Sequence, residues 1–323
     1  MTTSLKPQGA GLYYTHGPVL SPFSKAAGIN HAVLNATWAQ VQPDQNVTNW
    51  SAIDRVLTGY PTTWRYRLRI ESGGGAPDWV KAASGGAVAG TGQKSGTTVT
   101  VPRWWSATYL AAWAAFIAKV AGRYDADPQI LDVSATACQT LNGEPFIRFG
   151  RDVTANKALC AAGYSLEADA NAHRVSLKAM MDIFMDTRIS LALHTGWQEP
   201  LKDGTCRVSW PDLRAIVNEF RGQYGGRLIV QDNGLAPGDQ NDVKPGETAA
   251  TASNLWSWFT HAGQPYGFQC KGDLTLQAMG KTVADAAQAA IALKGAFLEH
   301  QQFGTDAALA KQWDAALRAH AAP

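Results

Sequence analysis

Five carboxylates stand at or just beyond the ends of short β-like runs. Glu71 ends the third run, Glu144 follows the fourth, Asp232 ends the sixth, Asp273 lies beyond the seventh with three residues between, and Glu299 ends the eighth. Such groups can work in pairs, one lending a proton to a departing oxygen while the other, ionised, attacks or activates water. His16, His194 and His300 also fall at run ends. Tyr14-Thr-His16 supplies one histidine where a metal-dependent barrel hydrolase would want two spaced by one residue, so no metal is expected. Lys271 lies just past the seventh run and no run has a lysine at its centre, which leaves Schiff-base chemistry unsupported.

The elements that must position these groups alternate from end to end. The β-like runs are Gly11–Thr15, His31–Thr37, Trp64–Ile70, Ile130–Thr136, Ile189–His194, Arg227–Gln231, Tyr266–Gln269 and Ala296–Glu299. Between them, apolar residues at three- and four-residue spacing predict helices over Pro22–Ala27, Trp50–Leu57, Thr108–Tyr124, Leu166–Thr187, Trp210–Tyr224, Thr251–His261, Val283–Lys294 and Asp306–His320. Eight strand–helix units predict one (β/α)8 TIM barrel over residues 1–323, an α/β fold whose chemistry sits at the C-terminal strand ends. A doubly wound sheet would carry a glycine-rich phosphate turn after its first strand; here that position reads Tyr14-Thr-His-Gly-Pro18. With no Walker lysine motif either, no cofactor is expected. The longest connection, Ser72–Trp105, holds Gly73-Gly-Gly, Gly85-Gly and Gly90-Thr-Gly around a β-like Thr97–Val101, and reads as a rim or lid after the third strand.

Four stretches of the first half resemble clan A glycoside hydrolases of the β-galactosidase kind. They are Trp38-Ala-Gln-Val-Gln-Pro43 with Asn49–Leu57, Leu68-Arg-Ile70 with Ala76-Pro-Asp-Trp-Val80, Val101-Pro-Arg-Trp-Trp-Ser106 leading to Arg123–Ile130, and Asn142-Gly-Glu-Pro145. The likeness covers about residues 30–150. It departs from the family pattern in the glycine between Asn142 and Glu144. It departs again at the seventh strand, where Gln269 occupies the place of the nucleophilic glutamate.

The resemblance implies a glycosidase acting on an oligo- or polysaccharide, with Glu144 as general acid/base. Such enzymes hold their two carboxyl groups about 5–5.5 Å apart for retention and about 6.5–9.5 Å for inversion. Glu299 is the expected partner, because alternation places it on one face with Phe297, and an inward face would bring it to the mouth. The competing readings are a loop carboxylate beside Arg148 or Arg151 for Glu144, and a buried ion pair with Arg67 or Arg69 for Glu299. Asp232, in Asp-Asn-Gly, reads either as a substrate ligand or as a turn former. Glu71, His194 and Gln269 are expected to bind sugar hydroxyls. Trp38, Trp79, Trp105 and Trp197 are expected to stack on sugar rings, an indole presenting a flat apolar face and one N–H. Trp113, Trp256, Trp258 and Trp313, on helices, are expected in the core.

Twenty-eight basic against 26 acidic residues give a net charge of +2, and only 17% of the chain is charged. That composition argues against disorder and against a basic surface for nucleic acid. Hydrophobic residues reach 46% but come in short runs, so no membrane partner is expected. Met-Thr-Thr-Ser-Leu-Lys-Pro7 shows no apolar signal core, which fits a cytoplasmic protein, export by another route, or a chain shortened of its leader. Cys138, Cys160, Cys206 and Cys270 form no CxxC pair and read as free or buried thiols, with a Cys138–Cys160 bridge left open. Asn35, Asn46 and Asn49 match N-x-S/T by chance, Asn35 lying inside a strand. Besides the glycosidase, two readings stand: a carbohydrate-binding barrel without catalysis, and another barrel hydrolase or lyase. Oligomeric state is left open.

Overall fold

The computed structural model describes residues 5–92, 96–141, 144, 147, 149, 152–193, 198–208 and 210–321. The eight runs form β1 (Gly11–Tyr14), β2 (His31–Thr37), β3 (Arg65–Glu71), β4 (Ile130–Ser134), β5 (Arg188–Leu193), β6 (Leu228–Leu235), β7 (Tyr266–Cys270) and β8 (Phe297–His300). They pair in parallel in chain order and close by pairing β8 with β1. The chain is a (β/α)8 barrel, as the alternation predicts.

Strand alternation divides the sheet into two faces. Outward-facing Leu12, Leu34, Leu68 and Ile70 join a continuous core with helix residues such as Trp113, Phe116 and Trp313. The helical tryptophans Trp113, Trp256, Trp258 and Trp313 are all buried there. The inner face is filled differently. Tyr13, Ile229, Ala296 and Phe297 form a small apolar plug. Above it, the fully buried Arg67 guanidinium lies 4.3 Å from the centre of the Phe297 ring.

Side-chain caps start most of the long helices. Ser106 accepts from the Tyr109 N–H before Ala107–Tyr124, Ser165 from Ala168 before Leu166–Ile183, and Asp306 from Leu309 before Ala307–Arg318. Each such cap contributes about 1 kcal/mol. Two expected helices are shorter than the apolar spacing suggests. Leu166–Ile183 ends early because the Asp125 carboxylate accepts the backbone N–H groups of Met185, Asp186 and Thr187, drawing the chain out of the helix. Leu255–Ala262 begins late because the Asn254 side chain caps it through the Ser257 N–H. The helices Asp78–Ala83, Val153–Ala161 and Asp273–Ala278 carried too few turns to be read from periodicity.

The long connection after β3 contains an antiparallel hairpin, Val88–Thr91 with Thr98–Val101. No helix among the described residues is long and apolar enough to cross a membrane.

Gly267 shows how tightly the barrel interior is filled. A Cβ there would lie 2.5 Å from the Phe297 ring, its neighbour in register on β8. Gly267→Ala is therefore expected to destabilise the fold by about 1–3 kcal/mol, the ordinary cost of overpacking, as read from the midpoint of urea unfolding.

Candidate functional site

Inward side chains of β3 ascend the barrel as Arg67, Arg69 and Glu71. The first two meet an ion network. Arg67 donates to Asp132 on β4, to Gln231 on β6 and to Glu299 on β8, while Arg69 Nη2 donates to Glu299 Oε2 at 2.9 Å. Two arginines and two carboxylates balance in charge, and all four are buried. Burial alone would push the Glu299 carboxyl up, but the Arg69 and Arg67 guanidiniums outweigh it and hold the group below its ordinary value. The expectation that Glu299 reaches the mouth is not met. The side chain is 0% exposed, both oxygens are taken, and it does not line the cavity above.

That cavity opens at the C-terminal ends of the strands. It has a volume of about 490 Å³, within the range of ordinary small-molecule sites. β1 and β2 contribute Thr15, His16 and Asn35, and β3 contributes Arg69 and Glu71. Across from them stand Asn233 and Gly234 from β6, Gln269 to Gly272 from the end of β7, and His300 and Gln301 from β8. Glu144 completes the wall. Of the expected ligands, Glu71, Glu144 and Gln269 thus meet at one cavity.

Main-chain contacts join the exits of β3 and β4. A Cβ on Gly73 would stand 2.4 Å from the Gln139 carbonyl oxygen and 2.6 Å from that of Thr140. Next to it, the Gly74 N–H donates to the Thr140 carbonyl at 2.9 Å. The exit of β3 is thereby fastened to the segment that leaves β4 for Glu144. That segment is held from behind by Tyr109, whose hydroxyl donates to the Ala137 carbonyl at 2.6 Å, and by Ser72, which donates to the carbonyls of Thr136 and Ala137. Glu144 is 4% exposed, and its Oε1 accepts from Asn233 Nδ2 at 3.3 Å. Glu71 is half-buried, and burial raises its carboxyl above the ordinary value, with Arg69 opposing. Gln269 Oε1 is buried and has no hydrogen-bond partner among the described residues.

Other expected ligands lie elsewhere. Trp38 is 0% exposed in an aromatic cluster, stacked on Phe116 and edge-on to Trp79, Tyr109 and Trp113, with its Nε1 donating to Gln42. Trp79 packs on Trp38, and Trp105 packs edge-on against Trp104 and Tyr164. None of the three lines the cavity. They fall just past strand ends as expected, but their loops fold back over the helix layer and the indoles serve as packing. Asp232 points away from the mouth, because it alternates with the inward Gln231 and Asn233. It is fully buried, and its Oδ2 accepts the Gly234 N–H at 2.7 Å, as a turn former does. Asp273 opens the helix Asp273–Ala278, accepting from Gln302 at 2.8 Å and lying 3.4 Å from His300 Nε2. His194, Trp197, Arg148 and Arg151 lie outside the described residues.

Sequence reading did not assign Asn35, Arg69 or Asn233 to the cavity. Strand parity could have found the first two, since both are inward and near a strand end. Asn233 was hidden by the turn-like Asp-Asn-Gly, which in fact continues β6. All four cysteines are free thiols, so Cys138 and Cys160 are not bridged. Cys138 instead lies beside Asp169 and His173, with one ligand atom of each within 4.8 Å of the others, the one group among the described residues that could hold a metal ion. Asp169 there already accepts from Trp104 Nε1 at 2.8 Å and from the Tyr164 hydroxyl at 3.0 Å.

No protein-family model matches the chain, and no curated protein does. Solved structures do match over nearly its whole length. A β-galactosidase from the psychrophilic Marinomonas ef1 aligns with 96% of this chain at 9% identity and a TM-score of 0.52; the match covers 59% of that protein, so the chain spans about three fifths of its length. Endo-glycoceramidase II from Rhodococcus sp. aligns with 94% of the chain at 15% identity and a TM-score of 0.54, over 76% of its own length. The catalytic domain of β-amylase from Paenibacillus polymyxa aligns with 94% at 12% identity and a TM-score of 0.51, over 97% of its own length. At these identities the likeness is one of fold, and it spans nearly the whole chain, as does the barrel that the alternation predicts.

The ion network yields a stability prediction. Glu299→Gln removes one partner of a buried set and is expected to cost about 3–5 kcal/mol in urea unfolding at neutral pH. Because the folded-state value of Glu299 is depressed, its contribution is complete above the ordinary value of 4.5 and lost as pH falls through the lower folded value. The gap between wild type and variant should therefore narrow on acidification below 4.5.

Proposed function

We propose that the protein is a glycosidase that hydrolyses an oligo- or polysaccharide at the cavity above β3 and β6, with Glu144 as one of its catalytic carboxylates. The observation that carries this reading is the placement of Glu144 at the C-terminal mouth of the barrel, where it meets a cavity lined by amide, guanidinium, ammonium and imidazole groups. Such a lining matches a ligand made of hydroxyls, each able both to donate and to accept. The shared fold with three glycosidases supports it as analogy, since barrels host many chemistries. Glu299 serves in this reading as the counter-ion that keeps Arg69 directed across the barrel beneath the site, rather than as the reacting partner.

A second reading, a carbohydrate-binding barrel without turnover, is favoured by Gln269 at the end of β7, where the resemblance would place a carboxylate. Reducing-sugar release from a panel of bacterial and plant polysaccharides separates the two. The expected result is release by wild type and a fall of about 10²–10⁴-fold in kcat/KM for Glu144→Gln, with the variant still binding the glycan. Glycan binding by wild type without any release would favour the second reading. Release undiminished in Glu144→Gln would remove Glu144 from the chemistry.

A further inference from the structure

We infer that Glu71 is the second catalytic carboxylate of this cavity and the group that protonates the departing glycosidic oxygen, with Glu144 as its ionised partner. This rests on the glycosidase reading, extends it to a residue that the resemblance does not supply, and gives Glu144 the partner's role where the resemblance implies the acid/base.

The first line of argument is where the other carboxylates are. Asp132 and Glu299 are bound to arginine inside the barrel, and Asp232 faces away from the mouth with a backbone N–H on its oxygen. Asp273 is bound to Gln302 at the outer start of its helix. Position 269 is an amide. Among the described residues, the carboxylates that line the cavity are Glu71 and Glu144 alone.

The second line concerns how Glu71 is presented. It ends β3 on the inward face, one step above Arg69, and its side chain makes no hydrogen bond or ion pair with any described residue. No hydrogen bond to a described residue occupies this half-buried carboxyl, which Arg69 attracts only electrostatically, and its oxygens are open to a ligand at the cavity wall. The two glutamates also differ in their contacts. Desolvation favours the protonated form of Glu71, with Arg69 opposing, whereas Glu144 Oε1 is engaged as an acceptor by Asn233 Nδ2.

The step balances without a co-reactant other than water. The Glu71 O–H bond breaks as its proton passes to the glycosidic oxygen. The C1–O bond breaks with its electron pair going to that oxygen, which leaves as an alcohol. Glu144 removes a proton from the water whose oxygen bonds to C1, or attacks C1 itself and is released by water afterwards. Either route adds one water across the bond, and the anomer of the first product, read by NMR, tells them apart.

The test is Glu71→Gln, which keeps the shape of the side chain but cannot act as an acid. Its thermal unfolding should match that of wild type, since no bond is lost. Against a natural glycan, whose leaving group needs a proton, kcat/KM should fall by about 10²–10⁴-fold. Against an aryl glycoside with a strongly acidic phenol the loss should be far smaller. The wild-type rate on the glycan should decline at high pH as the acid deprotonates, and that limb should vanish in the variant. Equal losses on both substrates, an unchanged pH profile, or wild-type activity in Glu71→Gln would each overturn the assignment while leaving the glycosidase reading in place. A wild type inactive on every glycan and aryl glycoside would overturn both.

Discussion

The buried set of Arg67, Arg69, Asp132 and Glu299 is the constraint around which the barrel is organised. A charge removed from water costs several kcal/mol unless it is paired, so each of these four is tolerable only while the others are in place. They come from β3, β4 and β8, and Gln231 adds β6. The network therefore ties opposite walls of the barrel by directional bonds where many barrels use interlocking aliphatic side chains. Below it, the Phe297 ring fills the space that Gly267 leaves open. Above it, the same inward rows continue as Glu71, Asn233 and Gln269, now facing the cavity.

This arrangement separates two tasks along a single strand. On β3, Arg67 is committed to the interior and Arg69 joins Glu299 to the cavity wall, while Glu71, two residues further, has no hydrogen-bond partner among the described residues. The carboxylates follow the same division. Glu299 is held ionised by two guanidiniums and is structural, whereas Glu71 and Glu144 line the cavity. Chemical type alone does not distinguish these glutamates; depth in the barrel does.

Depth also explains what the sequence could convey. Strand and helix periodicity located all eight barrel strands to within a few residues, because alternation and helical spacing are written locally. The pairing of Glu299 with Arg67 and Arg69 was visible as an alternative, but choosing it requires knowing the height at which three strands meet. The tryptophans misled for a related reason. Trp38 and Trp79 follow strand ends, yet the turn at Thr37, capped by its own side chain, sends the chain into Trp38–Val41 and turns the indole toward Trp113 and Phe116. Asp232, read as a substrate ligand or a turn former, lies with Asn233 in the strand, and one step of alternation puts only the asparagine in the cavity.

The contact at Gly73 sets a different kind of limit. Gly73 and Gly74 meet the carbonyls of Gln139 and Thr140 at a distance no side chain at position 73 could share, so the exits of β3 and β4 are set against each other in part by the backbone itself. Asn35, Lys271 and Gln301, which make none of these contacts, could then be exchanged to suit another ligand without disturbing them. Change at this mouth is free in what it recognises and confined in what it can span.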